Sequence, residues 1–341
     1  MSNQPLSQLA WLQALPKIEL HLHLEGAIPL PALWELLKKY GGDKEVPSLD
    51  VLVNRFQYQD FPHFLETWVW KNGFLRQYED FTFIAEAVAH DLVRQNIQYV
   101  EAFYSPPDFY RSGLQTQQLT EAIRIGLDRV PQVKVALVAD LVRNYGPQQG
   151  QRTLHEVSEV KSLGVVGIGI GGAEHLAPPE PYQEVFEEAR RLGFHTNAHA
   201  GEAAGPASIW GALNKLKVER IGHGTRATED PFLIETLAEK QIPLEMCPLS
   251  NLRTGVVASI QAHPARRFFD QGLLITINTD DPKMFNNNLA QEYDVLMNEQ
   301  GFTHSEIRAL ILNGIRASWM AKEDKQLFFH KFNSDHAWNI Q

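Results

Sequence analysis

The amino-acid sequence predicts an α/β protein, a (β/α)₈ TIM barrel with a helical lid inserted between its first and second strands. The chain has 341 residues, 44% of them hydrophobic, which suits one barrel with a large core. Short β-branched runs alternate with longer segments of helical periodicity, and several of the runs end in polar residues. Strands alternating with helices favour a parallel sheet. Because internal repeats and Gly/Ser linkers are absent, we expect a single domain over residues 1–341.

Eight segments have the composition of buried parallel strands, since most of them are apolar on both faces. They are residues 18–24, 97–104, 133–142, 165–170, 195–200, 220–224, 242–247 and 273–279. A doubly wound open sheet is the structural alternative. That fold would place a glycine-rich phosphate-binding motif after the first strand, and the sequence has none there.

Helical segments separate most of these strands. Several begin at proline or at turn-forming residues and end near glycine, as helix boundaries commonly do. We predict helices at residues 115–129, 150–163, 182–192, 206–216, 231–240 and 307–320. The final segment, 325–341, mixes aromatic and polar residues and receives no assignment.

The interval between the first two strands is unusually long, at 72 residues, where one barrel repeat needs roughly 20 to 30. Within it, Phe61, Phe64, Leu65 and Trp68 share one helical face. A helix packed on the barrel rim explains this pattern. A lid formed by segment 56–75, closing its aromatic face over an active site, explains it equally well, and both can hold together.

Composition excludes several classes of protein. The only cysteine, Cys247, permits no intramolecular disulfide or Cys-rich metal site and reads as a small buried residue. A net charge of −10 disfavours nucleic-acid binding. No 18-residue apolar run or signal-peptide pattern is present, so we expect a cytoplasmic protein without a membrane partner. The oligomeric state is unknown from sequence.

Polar residues cluster at the carboxyl ends of four predicted strands. Those ends form the face on which barrel active sites lie. Each residue alone has a structural explanation, such as a turn or a helix cap, but their shared position predicts a metal site. The residues are His21 and His23, which point to one side of the first strand, then His199, Glu202, His223, Asp280 and Asp281.

The fourth strand indicates how many metal ions the site holds. Binuclear barrel hydrolases take a bridging ligand from a middle strand, and residues 165–172 contain no lysine or carboxylate before Glu174. We therefore expect one metal. Three histidines and one aspartate with an open position fit a catalytic zinc, which brings the pKa of a bound water toward ~7. Glu202 and His223 remain for proton transfer.

Five stretches give the chain a family resemblance. In order, residues 15–26, 199–202, 220–225, 247–251 and 278–282 resemble the adenosine deaminase family of the amidohydrolase superfamily, bacterial type, over roughly residues 15–325. Members use a zinc-bound hydroxide to attack C6 of a purine and expel ammonia. The resemblance implies one Zn²⁺ per chain and a purine nucleoside as the small-molecule substrate. It implies zinc ligation by His21, His23, His199 and Asp280.

The resemblance also implies roles around the purine. Glu202 would protonate N1, which requires a raised pKa, and His223 would take the proton of the zinc-bound water or orient the hydroxide. Asp281 would hydrogen-bond N7 and the backbone N–H of Gly172 would reach N3. Together with His23, these two residues and Glu25 form the predicted substrate-binding set.

The identity of the substrate is the least determined feature. Animal members carry Asp at the position of Glu25, where it contacts the ribose 5′-hydroxyl, so the sugar end is in doubt. The glycine pair at 171–172 favours a nucleoside. We therefore predict deamination of adenosine or 2′-deoxyadenosine to inosine or deoxyinosine, with adenine, aminodeoxyfutalosine and N6-methyl-AMP as alternatives. Arg76, Arg111 and Arg143 lie near predicted loops where one of them can meet a phosphate.

Two other classes of function remain open. A catalytically silent member would bind purine or metal as a sensor, but such a protein is expected to lack Glu202, His223 or a metal ligand, and none is missing. A metal hydrolase acting on a lactam or an ester would not need a proton donor for purine N1 at Glu202.

Overall fold

Eight parallel strands form one sheet in sequence order, from β1 to β8. The structure is a computed structural model that describes residues 7–58 and 61–339. The strands are β1 Lys17–His23, β2 Ile97–Tyr104, β3 Lys134–Asp140, β4 Val165–Gly169, β5 His195–Ala200, β6 Arg220–His223, β7 Leu244–Met246 and β8 Ile275–Ile277. Each strand pairs in parallel with the next. The predicted (β/α)₈ barrel is confirmed.

The sheet closes on itself at its carboxyl edge. Leu22 of β1 forms a parallel bridge with Asp280, which lies just beyond β8. The backbone N–H of His23 donates to the carbonyl of Asp280 at 2.8 Å, and the N–H of Asp280 donates to the carbonyl of His21 at 3.0 Å. Ring closure therefore places two predicted metal ligands of β1 beside a third that lies more than 250 residues later in the chain.

Strands β7 and β8 are shorter than predicted, at three residues each. The apolar runs that suggested longer strands begin with residues that close the preceding helix. The N–H of Ile242 donates to Leu237, and that of Leu273 donates to Phe268. A buried apolar residue at a helix end and one in a strand look alike in sequence, which explains the overestimate.

Helices surround the barrel, and the predicted helices are all present, one of them with the predicted bounds and the others with shifted ends. They are α1 Gln8–Ala14, α2 Leu30–Lys39, α3 Leu49–Arg55, α4 Phe61–Asn72, α5 Tyr78–Arg94, α6 Thr116–Asp128, α7 Gly146–Glu159, α8 Gln183–Arg191, α9 Pro206–Gly211, α10 Pro231–Lys240, α11 Pro248–Arg253, α12 Ala265–Asp270, α13 Pro282–Phe285, α14 Leu289–Gln300, α15 His304–Ala317 and α16 Lys322–Asn333. Within the described ranges, none of them is both long enough and apolar enough to traverse a bilayer.

The long interval after β1 folds as helices α2 to α5. The last of these, α5, packs on α6 and β2 and so takes the place of a regular barrel helix. Helix α4 lies at the carboxyl mouth of the barrel, where the Trp68 ring is 6.0 Å from the ring of His23 and Phe64 stacks on Phe285 at 5.1 Å. The Phe61 side chain lies outside the described part of the chain. Movement of α4 as a lid stays a prediction.

The barrel interior is more charged than the sequence led us to expect. Alternation along β1 turns Ile18, Leu20 and Leu22 to one side and the polar residues to the other. Five charged side chains on the strands are at most 1% exposed, namely Lys17, Glu19, Glu101, Arg220 and Glu245. Buried charges require partners, and those partners connect the interior to the site described next.

Candidate active site

The four predicted metal ligands converge at the carboxyl mouth of the barrel. Each of His21, His23, His199 and Asp280 offers one ligand atom, and these atoms lie within 4.8 Å of one another. The Nε2 atoms of His23 and His199 are 3.1 Å apart. Asp280 Oδ1 lies 3.5 Å from Nε2 of His21 and 3.3 Å from Nε2 of His23. Strands β1, β5 and β8 therefore present three imidazoles and a carboxylate to one point.

The protonation of His23, His199 and Asp280 suits a metal ion, whereas burial is outweighed at His21 by the carboxylates of Asp280 and Glu245, which raise the pKa of that imidazole to about 10. Burial lowers the pKa of His23 to about 4 and that of His199 well below its usual value, so both imidazoles keep a free lone pair. Burial raises the pKa of Asp280, but the His21 imidazole, 3.5 Å away, and the other nearby imidazoles lower it further, so the group is a carboxylate. In the described part of the chain, the buried Nε2 of His21 has no hydrogen-bond partner. Three imidazoles and one carboxylate are a donor set that zinc accepts.

Two residues at the site have a left-handed backbone that non-glycine residues seldom adopt. His223 has φ 62° and Asp280 has φ 66°. Such conformations cost about 1–3 kcal/mol each and cluster at functional sites. Gly222 is required by the same packing, because a Cβ there would lie 2.8 Å from Cε1 of His21.

Glu202 and His223 face each other beside the ligand cluster. Glu202 Oε2 lies 3.5 Å from His223 Nε2. Burial and the charges of Asp280 and Glu174 raise the pKa of Glu202 well above its usual value. Burial lowers the pKa of His223 to about 3. The pair thus consists of a protonated carboxyl group and a neutral imidazole, which suits proton donation and proton acceptance.

Asn251 holds this pair in place, a role that the sequence analysis did not assign although the residue lies in a quoted motif. Its Nδ2 donates to Glu202 Oε1 at 3.4 Å and lies 3.3 Å from His223 Nδ1. Its Oδ1 accepts from Thr225 Oγ1 at 2.9 Å, which fixes the orientation of the amide.

The carboxylate of Glu174 organises the loop that carries Glu202. Its two oxygens accept four consecutive backbone N–H groups, from Gly201 at 2.6 Å, Glu202 at 3.1 Å, Ala203 at 2.7 Å and Ala204 at 2.9 Å. The sequence analysis considered Glu174 only as a possible bridging ligand. Because both oxygens are occupied by amides, Glu174 is an anchor for the loop.

Replacing Glu174 by glutamine should lower kcat about 10- to 100-fold with little change in zinc content, since small displacements of catalytic groups have effects of that size. The glutamine NH₂ cannot accept the amides that one carboxylate oxygen now binds. Steady-state kinetics and metal analysis check this, with the exposed Glu184→Gln as control. Unchanged kcat in Glu174→Gln would contradict the anchoring role.

Asp281 and Gly172, to which the resemblance assigned substrate contacts, line the same cavity, and those contacts stay a prediction. Burial and the charge of Asp280 raise the pKa of Asp281 well above its usual value, and its Oδ1 is buried without a hydrogen-bond partner among the described residues. Gly26 makes room for it, since a Cβ there would lie 1.7 Å from Asp281 Oδ1. Asp281 is therefore a protonated carboxyl group that is available to donate.

The cavity has a volume of about 520 Å³, within the range of small-molecule sites. Three of the four candidate ligands, His23, His199 and Asp280, line part of it together with Glu202 and His223. The remaining wall is largely aromatic and apolar and includes Phe64, Leu65, Trp68, Val69, Phe109, Val142, Tyr145 and Phe285. Apolar walls with a few polar groups favour a ligand with a substantial hydrophobic part.

The three arginines singled out from sequence have different environments. Arg111 lines the cavity. Arg143 is buried and donates to the carbonyls of His199 at 2.5 Å and Ala177 at 2.8 Å. Arg76 donates to the carbonyl of Gly73 at 2.7 Å. Arg111 is therefore the one of the three that is placed to meet an anionic group of a substrate.

Glu25 is enclosed rather than displayed on the cavity wall. It is 1% exposed, and its Oε1 accepts from the N–H of Ser105, a lining residue, at 2.9 Å. Burial raises its pKa to about 7, and burial lowers the pKa of the neighbouring Lys71 to about 8. Lys71, whose Nζ lies 3.9 Å from the Trp68 ring centroid, escaped the sequence analysis. Substrate contact by Glu25 stays a prediction.

Curated relatives resemble the chain along most of its length. An aminodeoxyfutalosine deaminase of Streptomyces coelicolor is 32% identical over 317 residues, covering 91% of this chain and 82% of its own. An adenine deaminase of Chlorobium phaeobacteroides is 31% identical over 319 residues, covering 93% and 95%.

Solved structures share the fold closely at 26% identity. The adenine deaminase of Arthrobacter aurescens has a TM-score of 0.89 and covers 94% of this chain and 98% of its own. An amidohydrolase of Burkholderia ambifaria with bound Zn scores 0.88, with 97% and 93% covered. The N6-methyl-AMP deaminase of Arabidopsis thaliana scores 0.86, with 96% and 99% covered.

These names correct the predicted substrate. The prediction of adenosine or 2′-deoxyadenosine is wrong, because the relatives are named for adenine, aminodeoxyfutalosine and N6-methyl-AMP, the alternatives. The structure explains why the glycine pair misled us. A Cβ on Gly171 would lie 2.7 Å from Asp140 Oδ2, and one on Gly172 2.3 Å from Asn144 Oδ1. Both glycines make room for protein side chains and carry no information about a sugar.

A sequence profile assigns the chain to a family that agrees with both the site geometry and the similar proteins. The sequence profile of the adenosine deaminase family matches residues 16–334. That range contains every ligand of the cluster and both members of the proton-transfer pair. The chain belongs to the adenosine deaminase family, whose members are metal-dependent hydrolases that act on C–N bonds of cyclic amidines.

Proposed function

We propose that the chain deaminates a 6-aminopurine that carries an extended anionic substituent, with aminodeoxyfutalosine as the best candidate. The observation that carries this proposal is the Glu202–His223 pair, with three of the four candidate ligands, on the wall of a cavity of about 520 Å³ that Arg111 also lines. A free purine base fills only a small part of such a volume. The products are the corresponding 6-oxopurine and ammonia.

One Zn²⁺ per chain would be held by His21, His23, His199 and Asp280. The convergence of their ligand atoms supports this, as does the bound Zn of the similar Burkholderia amidohydrolase. When bound, Zn²⁺ supplies the Lewis acidity that makes water reactive toward C6 at neutral pH.

Glu202 and His223 manage the protons. The raised pKa of Glu202 keeps its proton available for purine N1, and protonation there draws electrons away from C6. The neutral His223 accepts a proton from the attacking water. The water oxygen becomes bonded to C6, and the C6–N bond breaks as the amino group takes the proton held by His223 and leaves as ammonia. The second proton of the water returns to Glu202, which restores both groups.

Asp281 and Gly172 orient the base. Purine N7 and N3 offer only lone pairs, so each needs a donor. The raised pKa of Asp281 supplies a carboxyl O–H for N7, and the backbone N–H of Gly172 serves N3. Two donors on opposite sides of the ring fix the orientation in which C6 faces the cluster.

The rest of the cavity favours a long substituent. Trp68, Phe109 and Tyr145 offer aromatic surfaces, and Arg111 offers one positive charge. Aminodeoxyfutalosine extends an adenosine at 5′ with an aromatic carboxylate, which matches both features. Asp108, whose oxygens accept from Trp68 Nε1 and from Tyr145 OH, also lines the cavity, and its charge disfavours a doubly charged phosphate.

A substrate panel tests the proposal. Zinc-loaded protein is assayed for ammonia release with aminodeoxyfutalosine, adenine and N6-methyl-AMP, with adenosine as comparator. We expect the highest kcat/KM for aminodeoxyfutalosine. A preference for adenine would overturn the proposal that the substrate carries an extended substituent, but it would leave the proposed deaminase chemistry in place. If zinc is stoichiometric and none of the four compounds releases ammonia, the deaminase proposal itself is overturned.

The Arg111→Met variant should raise KM for aminodeoxyfutalosine about tenfold, because a charge-assisted hydrogen bond contributes about 1.5–3 kcal/mol and exposure reduces it. Turnover of adenine should stay unchanged, since adenine carries no anionic substituent. Arg76→Met, which removes an arginine outside the cavity wall, is the matched control. Equal effects of Arg111→Met on both substrates would contradict the proposed contact.

A further inference from the structure

A chain of buried charges runs through the barrel interior and ends on a metal-ligand candidate. Arg220 Nη1 lies 2.6 Å from Glu101 Oε2, and its Nε lies 2.7 Å from Glu245 Oε1. The other oxygen of Glu245 lies 2.8 Å from Nδ1 of His21. Strands β2, β6, β7 and β1 each contribute one member, so the chain crosses much of the barrel.

This network is sealed from solvent and well partnered. Glu101, Arg220, Glu245 and His21 are at most 1% exposed. The Arg220 guanidinium lies 3.5 Å from the ring centroid of Trp319. Glu101 Oε1 accepts from Tyr99 OH at 2.8 Å. Contacts outside the chain of charges therefore also hold the network in place.

Stability alone does not account for these residues. Burying an ion pair costs several kcal/mol per ion in desolvation, and apolar residues of equal volume often serve as well or better. The interiors of TIM barrels are commonly filled by branched aliphatic side chains. Two carboxylates and one arginine in that place indicate a purpose beyond packing.

The contact between Glu245 and His21 suggests that purpose. A carboxylate accepts from an imidazole N–H, so Glu245 Oε2 fixes the hydrogen of His21 on Nδ1 and leaves Nε2 facing the cluster. Asn197 Nδ2 donates to the same oxygen at 2.8 Å and restricts its position. Such partners orient metal-binding histidines and increase their basicity.

We propose that Glu245, held by Arg220 and Glu101, is a positioning residue that orients His21 for zinc and strengthens zinc binding. This inference rests on the proposed zinc ligation by His21. The network contains two carboxylates and one guanidinium, so it carries a net negative charge toward the site where a divalent cation would bind. Arg220 holds Glu245 in place, and Glu101 balances the charge of Arg220.

The Glu245→Gln variant tests the proposal, because it keeps the volume of the side chain and removes its charge. We expect the dissociation constant for zinc, measured by competition with a chromophoric chelator, to rise about 10- to 100-fold. The visible spectrum of the Co²⁺-substituted protein should also shift, because the geometry of one ligand changes. A purely structural role would leave that spectrum unchanged.

Glu292→Gln is the matched control. Glu292 is also a fully buried carboxyl group, and it accepts from the N–H of Leu249 at 3.0 Å; within the described residues it has no hydrogen bond to a ligand of the cluster. The zinc affinity of the Glu292→Gln variant should stay within about twofold of that of the unmodified protein. This change is well below the one expected when a residue that hydrogen-bonds a metal ligand is replaced. Thermal unfolding of the metal-free proteins shows whether each variant is folded.

Arg220→Lys provides a second test if Glu245→Gln does not fold. It keeps the positive charge and loses the planar contacts to two carboxylates. We therefore expect the zinc dissociation constant to rise about 10-fold, the lower end of the range given for Glu245→Gln. Zinc affinity and a Co²⁺ spectrum equal to those of the unmodified protein in a folded variant would overturn the inference. Failure of the unmodified protein to bind zinc would overturn the proposed ligand set instead.

Discussion

Deamination by the Glu202→Gln variant is expected to be about 10²- to 10⁴-fold slower than by the unmodified protein, with zinc content unchanged. A positioned general acid contributes acceleration of that size. Glutamine fills the same space between His223 and Asn251 but has no acidic proton for purine N1. The measurements are kcat with the preferred substrate of the panel and zinc per chain by atomic absorption.

The control for this variant is Glu235→Gln, which neutralises an exposed carboxylate on α10. Its kcat should match that of the unmodified protein. If the Glu202→Gln protein keeps a kcat within tenfold of that of the unmodified protein, Glu202 is not the proton donor. The lactam or ester hydrolase, which needs no donor for N1, would then become the better explanation.

The Asp280→Asn variant should lose its zinc. Its dissociation constant for zinc should rise more than about 10²-fold, which exceeds the effect of removing a residue that only hydrogen-bonds a metal ligand. Asparagine tolerates the left-handed backbone of this position, where φ is 66°. It keeps the shape of the side chain and removes the charge that neighbours the imidazoles of His21 and His23. The measurement is zinc stoichiometry after dialysis against a chelator.

Asp281→Asn is the informative comparison, because it neutralises the adjacent carboxyl group, which lies outside the ligand cluster. This variant should retain stoichiometric zinc and lose kcat/KM, since the donor for N7 is replaced by an amide that can still donate more weakly. Tight zinc binding by Asp280→Asn, or loss of zinc from Asp281→Asn, would argue against the ligand set.

Much of the architecture could be predicted because local patterns determine it. Strands β2 and β5 have the predicted bounds, and so does helix α10. The candidate ligands could be predicted for a topological reason. In a barrel of parallel strands, the carboxyl ends meet on one face however far apart they lie in sequence. His21 and Asp280 could therefore be assigned to one site from their positions after β-branched runs.

The supporting residues could not be predicted in this way. Glu174 lies in a loop after β4, and its four amide partners belong to the loop after β5. Glu101 and Glu245 lie inside strands, where sequence gives no measure of which charges face each other. Lys71 lies in a helix, where a lysine normally signals a solvated face. Each of these roles depends on a contact between distant segments.

The sequence by itself therefore determined the barrel, the family resemblance and the set of residues that meet at the carboxyl mouth. Only the tertiary structure decided what surrounds them: the charge network behind His21, the Glu174 anchor of the loop that carries Glu202, the enclosure of Glu25 and the shape of the cavity. The physical reason is range. Periodicity and strand ends are local properties, whereas the partners of a buried charge and the space beside a glycine are fixed by chain segments that packing alone brings together.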